Sequence, residues 1–202
     1  GVMMRIARAD EVEFRNDISD VYQACFFTNT NGNSLSQGMF YQFYNALYRT
    51  NSIMQKLEEK KDVLSTEFID KVKGECLFIR GFYLFQLGKE FKDAPLRLTA
   101  SQSPDTFPLE KSSQADIWTQ ALADLKTAAG LLPISNPVLG KPTSGAAYAM
   151  MGKIHVYMKN YTQAIEVLEP LTKSPYTYEL VADFNWNFDE AHEHNAESIF
   201  EL

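Results

Sequence analysis

The chain has 202 residues, 45% of them hydrophobic and 22% charged, with a formal net charge of −7. That is enough apolar material for one sizeable core and excludes a disordered chain. An acidic chain whose longest basic run is Lys60-Lys61 also lacks the footprint of a nucleic-acid binder, and no apolar run reaches the roughly 20 residues of a membrane-spanning helix. Gly1-Val2-Met3-Met4-Arg5 has no apolar core followed by a small-residue cleavage site. The expectation is a chain that is cytosolic or has had its targeting segment removed, and the leading Gly favours the second. Cys25 and Cys76 are two thiols in a large chain, too few for a disulfide framework. Cys76 sits among apolar residues at helical spacing and reads as a buried thiol.

Val12 to Phe27 mixes acidic and aromatic residues with a helical phase. Thr28 to Gly38 (TNTNGNSLSQG) is rich in Asn and Gly and predicts a loop. From Met39 the apolar residues Phe40, Phe43, Tyr44, Leu47, Ile53, Met54 and Leu57 recur at three- and four-residue spacing, which predicts a helix up to Glu58-Glu59. A second helix is predicted from about Glu67 to Gly88, with Ser65 or Thr66 as cap and Phe68, Val72, Cys76, Ile79, Tyr83 and Leu87 as its stripe. Ile69, Leu77, Phe82, Leu84 and Phe85 widen that face. Phe91 to Lys111 is a long connection holding Pro95, Pro104 and Pro108. Its length implies that it packs or functions.

Ser113, with Asp116 three residues on, caps a third helix whose stripe is Ile117, Ala121, Leu125 and Ala128; Gly130 and Pro133 stop it. After a Pro/Gly loop, SGAAYAMMGKIHVYMKNYTQAIEVLEPL reads as two helices joined at Lys159-Asn160, with Pro170 ending or kinking the second. The final ESIFEL alternates weakly and predicts a short strand.

The two-helix segment carries a tetratricopeptide pattern: Tyr148, Met151-Gly152, His155, Ala164 and Leu168, with Pro175 near the closing position. Gly152 and Ala164 suit a close helix–helix approach. His155 occupies the tyrosine position and reads as a packed core or groove residue. One such unit cannot bury its own face, so others must stack on it. The predicted helices around residues 67–88 and 113–130 can pair as a second unit interrupted by the Pro-containing insertion. The fold expected is all-α, a tetratricopeptide-like α-α superhelix with long Pro/Gly-rich loops and a short C-terminal strand. Residues 1–202 are taken as a single helical-repeat domain.

Candidate chemistry is sparse. His192-Glu193-His194, beside Asp189, Glu190 and Glu197, has metal-ligand residue types without HExxH spacing, and reads as solvated surface. No phosphate-cradling glycine loop and no GxSxG nucleophile elbow is present. No enzyme activity, metal or cofactor is expected. Asn29, Asn31 and Asn33, followed by Phe40 and Tyr41, suit a polar ring-shaped ligand: amides offer paired donors and acceptors, and aromatic faces take the apolar side of a sugar. Asn29, Asn31, Asn33 and Tyr41 are the candidate ligand residues. The alternative reading of that stretch is a plain surface loop leading into a core aromatic stripe; Trp186 in DFNWNFDE is open to the same two readings, whereas Trp118 lies on a helix stripe and belongs to a core.

KGECLFIRGFYLFQLGKEFKDAPL (Lys73 to Leu96) resembles a signature of the SusD/RagB family, nutrient-binding lipoproteins of Bacteroidetes outer membranes. Glu75, Arg80, Tyr83, Asp93, Pro95 and Leu96 match it; Cys76, Gly81 and Lys92 replace the usual Ala, Ala and Gly. Asn51 after Tyr48, then DIWTQALADLKTAAGLLP, TSGAAYAMMGKIHVYMKNYTQA and ESIFEL, resemble further family segments in the family's order from about Tyr41 to Leu202. The resemblance implies a binding protein that is lipid-anchored at the cell surface and caps a SusC-like TonB-dependent transporter. It would pass that transporter an oligosaccharide or other oligomeric nutrient. It also implies a fragment of a longer SusD-like protein, touching the membrane only through a lipid anchor absent from this chain. Without the resemblance, the alternative is an intracellular tetratricopeptide adaptor binding a peptide partner. Scattered Lys153 and Lys159 supply no basic groove for a peptide carboxylate.

Overall fold

The computed structural model describes residues 9, 17–100 and 109–201. Val12 to Asn16, Pro104, Pro108 and Leu202, on which some expectations rest, lie outside them. The chain divides into two units, Gly1–Ala46 and Leu47–Leu202. Its described elements are helices α1 (Ser19–Cys25), α2 (Ser34–Glu59) and α3 (Thr66–Phe91), strands β1 (Ala94–Pro95) and β2 (Lys111–Ser112), and helices α4 (Gln114–Leu131), α5 (Ser144–Tyr157) and α6 (Tyr161–Leu168). None of the helices is long and apolar enough to cross a membrane, among the described residues.

In the first unit, α2 starts at Ser34 and not at Met39 as its apolar stripe suggested. The cause is a cap. Asn33 Oδ1 accepts the Ser36 amide at 3.2 Å, which satisfies a donor that the first turn leaves without a partner. Asn33 Nδ2 donates to the Asp20 carbonyl at 2.9 Å and to Gln23 Oε1 at 3.2 Å, tying the loop to α1. The Asp20 carboxylate accepts the Ser34 amide at 3.0 Å and the Ser34 hydroxyl. These bonds, the hydroxyl first, hold the Asp20 carboxyl below its usual range. The polar residues that made 34–38 look like a loop therefore lie on the helix's first turn.

The second unit is a run of antiparallel helices. Ser65 Oγ accepts the Phe68 amide at 3.3 Å and starts α3 as expected. Ser113 Oγ accepts the Asp116 amide at 3.1 Å and donates to Asp116 Oδ2 at 2.7 Å, so a reciprocal cap starts α4. Thr143 Oγ1 does the same for α5 through the Ala146 amide, 3.2 Å away.

The α3–α4 pair meets along a seam of glycines spaced by seven. A methyl group placed on Gly74 would come within 3.1 Å of Leu131, on Gly81 within 2.7 Å of Leu125, and on Gly88 within 2.6 Å of Trp118 Nε1. Gly88 is thus a contact residue inside the helix and not its terminator. The expected face of α3 holds in part: Cys76 and Leu87 of the stripe are buried, as are Leu77, Leu84 and Phe85 beside it, whereas Phe68 and Ile79 are exposed. Close backbone approach needs the glycine side of a helix to face its partner, and this outweighs the count of apolar residues. The α4 stripe is as expected: Ile117, Ala121, Leu125 and Ala128 are all at 0% exposure. Trp118 joins Phe85 and Tyr157 in a ring cluster with centroids 5.1–6.2 Å apart, and its indole N–H donates to the Phe85 carbonyl at 3.1 Å.

The α5–α6 hairpin turns at Lys159, whose φ of 62° is left-handed. Ala164 is buried, but the residue that fills the space over Gly152 is Leu168, 2.4 Å from where a methyl group would stand. His155 is half-buried, and burial lowers its pKa against the opposing pull of Glu166. Pro170 sits in a 3-10 turn, Glu169–Thr172, that ends α6.

A buried polar network closes the unit. Arg80 makes a bidentate pair with Asp124, Nε to Oδ2 at 2.6 Å and Nη2 to Oδ1 at 2.7 Å. Its Nη1 donates to Asn51 Oδ1 at 2.9 Å and to the Leu98 carbonyl at 3.3 Å. Asn51 Nδ2 in turn donates to the carbonyls of Arg97 and Thr99, at 3.1 and 3.3 Å. The described part of the Pro-containing insertion is therefore pinned near its start by Asn51 of α2 and Arg80 of α3, the latter held by Asp124 of α4, and closed by the short antiparallel β1–β2 pair. The strand expected at ESIFEL is not formed by its described residues. Phe200 instead packs edge-on against Phe78, with centroids 5.2 Å apart.

Candidate functional site

The residues expected to bind ligand fall into two kinds. Asn33 is fully buried and its amide holds the loop and caps α2. Asn29 is half-buried, with Nδ2 donating to Ser36 Oγ at 3.2 Å. Asn31 and Tyr41 are exposed, Tyr41 at 71%. Asn31 lies beside the helix start, its carbonyl accepting from Gln37 Nε2 at 3.1 Å.

A richer arrangement follows α6. Residues 173–201 form no α-helix or strand; their order comes from side chains that bond nearby backbone. Asp183 and Asp189 accept the amides of Asn185 and Ala191, at 2.9 and 3.1 Å, and start two 3-10 turns, Phe184–Phe188 and Glu190–His192. The segment then doubles back. The Glu179 amide donates to the Ala196 carbonyl at 3.1 Å, and Glu197 Oε2 accepts the Val181 amide at 3.2 Å and Asn187 Nδ2 at 3.1 Å. Asn195 Oδ1 accepts the Glu197 amide at 2.9 Å while its Nδ2 donates to Asn187 Oδ1 at 3.2 Å.

This scaffold presents aromatic surface. Trp186 lies flat on His192, with centroids 4.6 Å apart and planes 5° from parallel. His192 Nδ1 is 2.8 Å from Asp189 Oδ2, which fixes the imidazole under the indole. Phe184 and Phe188, in edge-on contact at 5.2 Å, are exposed beside it. Hydrogen bonds from the Ala191 amide and His192 hold the Asp189 carboxyl below its usual range. The Ser198 hydroxyl and the His194 amide do the same for Glu201. His194 turns to Glu201, 3.3 Å away, and so away from His192's carboxylate. Among the described residues no three His, Cys, Asp or Glu side chains gather as a metal site.

Of the clefts that flank this scaffold, two hold its stacked rings. One, of about 490 Å³, lies between the 134–143 loop, the Tyr176–Tyr178 turn and residues 194–201. Its aromatic wall is Tyr176 stacked on Tyr178, 5.9 Å apart and 13° from parallel. Tyr176 is held by a hydroxyl contact of 2.9 Å with Ser144, and Tyr178 lies over Gly145. Lys141 in this wall is paired with Glu75 at 2.7 Å. The other cleft, of about 400 Å³, lies beneath Trp186 and His192. Trp186 was marked in the sequence by its polar and aromatic neighbours. His192 stands out in the sequence only as a metal-ligand type read as solvated surface, and Asn195 and the tyrosine pair do not stand out, because the contacts that give them a role join residues far apart in a segment without periodicity.

The comparisons with known proteins bear on the whole chain. A SusD superfamily protein from Bacteroides vulgatus is similar at 78% identity and a TM-score of 0.94, over 100% of this chain and 44% of that one. A laminarin binding SusD-like protein is similar at 26% identity and a TM-score of 0.83, over 91% of this chain and 41% of that one. Surface glycan-binding protein A from Bacteroides uniformis shares the fold at 17% identity and a TM-score of 0.87, over 100% of this chain and 46% of that one. The chain thus spans less than half the length of these relatives. No curated protein sequence matches it. The SusD-like family model described as starch-binding and associating with the outer membrane matches residues 5–156. With three quarters of its length under that match and the helical fold shared with the solved relatives, the chain belongs to the SusD-like family.

Proposed function

We propose that this protein binds a glycan at the outer membrane and delivers it, without chemical turnover, to a SusC-like TonB-dependent transporter. The observation that carries the reading is the Trp186 ring, flat on His192 and partly exposed, beside Asn187 and Asn195. A sugar ring is apolar on its faces and polar around its edge, and a flat aromatic with amides at its rim matches both. The family description and the laminarin-binding relative support a glycan over the peptide ligand of an adaptor. Attachment to the cell surface through a lipid anchor on the full-length protein belongs to the same reading. In the first unit, exposed Asn31 and Tyr41 are ligand contacts proposed in their own right, while Asn29 and Asn33 keep their loop in shape.

Calorimetric titration with laminarin and with soluble starch tests the reading, with reducing ends assayed alongside. Saturable binding to at least one, with no reducing ends released, is the expected result. Trp186→Ala should weaken that binding at least about tenfold, a loss of roughly 1.4 kcal/mol. Release of reducing ends, or heats no larger than dilution for both glycans, would defeat the proposal.

A further inference from the structure

We infer that the Tyr176–Tyr178 cleft and the Trp186 cleft form one trough that takes a neutral oligosaccharide several sugars long and turns away polyanionic glycans. This rests on the glycan-binding reading above and adds ligand length and charge to it.

Length follows from geometry. The clefts of about 490 and 400 Å³ share Ser198 and Glu201 in their walls, so residues 198–201 form the sill between them. Each has its own flat aromatic surface, the Tyr176–Tyr178 stack in one and Trp186 in the other. Each falls within the roughly 300–1,000 Å³ of a pocket that encloses a whole small ligand. A single sugar would use one platform and leave the other empty, whereas a chain crossing the sill uses both.

Charge follows from the walls. Asp189, Glu190, Glu193, Glu197 and Glu201 line the cleft under Trp186, and no Lys or Arg joins them among the described residues. The cations in reach are limited. His192 and His194 stand beside Asp189 and Glu201, and Lys141 in the neighbouring cleft is paired with Glu75. Hydrogen bonds hold the Asp189 and Glu201 carboxyls below the usual carboxylate range, which itself lies below neutral pH. Carboxylates accept hydrogen bonds from sugar hydroxyls, and these charge-assisted bonds are strong ones. A uronate or sulfate in the same place meets like charge with no Lys or Arg beside it among the described lining residues, which is discrimination by repulsion.

The test titrates the 202-residue chain with laminarin oligosaccharides and with oligogalacturonates of matched length, by calorimetry and by tryptophan fluorescence. The chain has two tryptophans and Trp118 is 7% exposed, so a ligand-dependent change reports Trp186. The expected result is affinity for laminarin oligosaccharides that rises at least tenfold from disaccharide to hexasaccharide, with no saturation by oligogalacturonate. The double variant Glu190→Lys/Glu193→Lys, altered at two exposed positions, should raise the ratio of anionic to neutral affinity at least tenfold. Glucan binding that is flat with length, or uronate binding of equal strength, overturns the trough and leaves glycan binding standing. No binding of either series overturns the trough, and no binding of soluble starch besides overturns both.

Discussion

Asp124→Ala is expected to destabilise the protein by about 3–5 kcal/mol, because it leaves the Arg80 guanidinium buried and without its counter-charge. Arg80 is 9% exposed and Asp124 is 3% exposed, so water reaches neither well enough to replace the lost partner. For a chain of this size each kcal/mol moves the melting temperature by roughly 2–4 °C, so the midpoint should fall by about 6–20 °C. The loss should spread beyond the pair. Arg80 also holds Asn51 and the Leu98 carbonyl, and Asn51 holds the carbonyls of Arg97 and Thr99. Faster amide exchange around residues 97–99 should accompany the lower midpoint. Replacing both charges with apolar residues of similar volume, Arg80→Met with Asp124→Leu, should recover much of the loss, since no ion is then stranded. Urea denaturation of the two single variants and the double variant checks this. A single-variant loss under about 1 kcal/mol, the range of exposed ion pairs, would mean that the pair is solvated.

Trp118→Ala should have an effect of similar size for a different reason. It deletes the largest ring of the cluster formed with Phe85 and Tyr157 and leaves an empty space against Gly88. Large aromatic truncations in a packed core destabilise by about 3–5 kcal/mol. The converse change, Gly88→Ala, adds a methyl group 2.6 Å from the indole nitrogen. Overpacking of that kind destabilises by about 1–3 kcal/mol, offset by up to about 1 kcal/mol from alanine's better helix propensity. Combining Gly88→Ala with Trp118→Ala should be less harmful than the sum of the two, because the new methyl group enters the space that the indole vacates. Additive losses in thermal unfolding of the three variants would show that residue 88 and the indole do not compete for one volume.

The helices were legible in the sequence because their signals are local. The α4 stripe, its Ser113 cap and the Lys159-Asn160 turn can each be read within a few residues, and the structure places them there. What escaped depends on partners remote in sequence. The apolar count places Phe68 and Ile79 on the buried face of α3 because glycines at 74, 81 and 88 look like weak points until α4 is laid against them. The start of α2 was set late because Asn33 looks like a loop residue until Asp20 and Gln23 are known to receive its amide. ESIFEL alternates like a strand, yet its phenylalanine serves to cover Phe78. The site shows the same division. Trp186 stood out by composition, while its support by His192 and the doubling back of residues 179–197 needed coordinates.

Cys76 gives the helix pair a chemical clock. Its side chain is 4% exposed, and burial, aided by the Glu75 charge, pushes the thiol up to about 11. At neutral pH it is almost wholly the unreactive protonated form, and no alkylating reagent reaches it while α3 is packed. Cys25 in the first unit is only half-buried and should be consumed first. Slow labelling that follows at Cys76 then counts the openings of α3, and its rate in increasing urea reads the free energy of that opening in the otherwise folded chain.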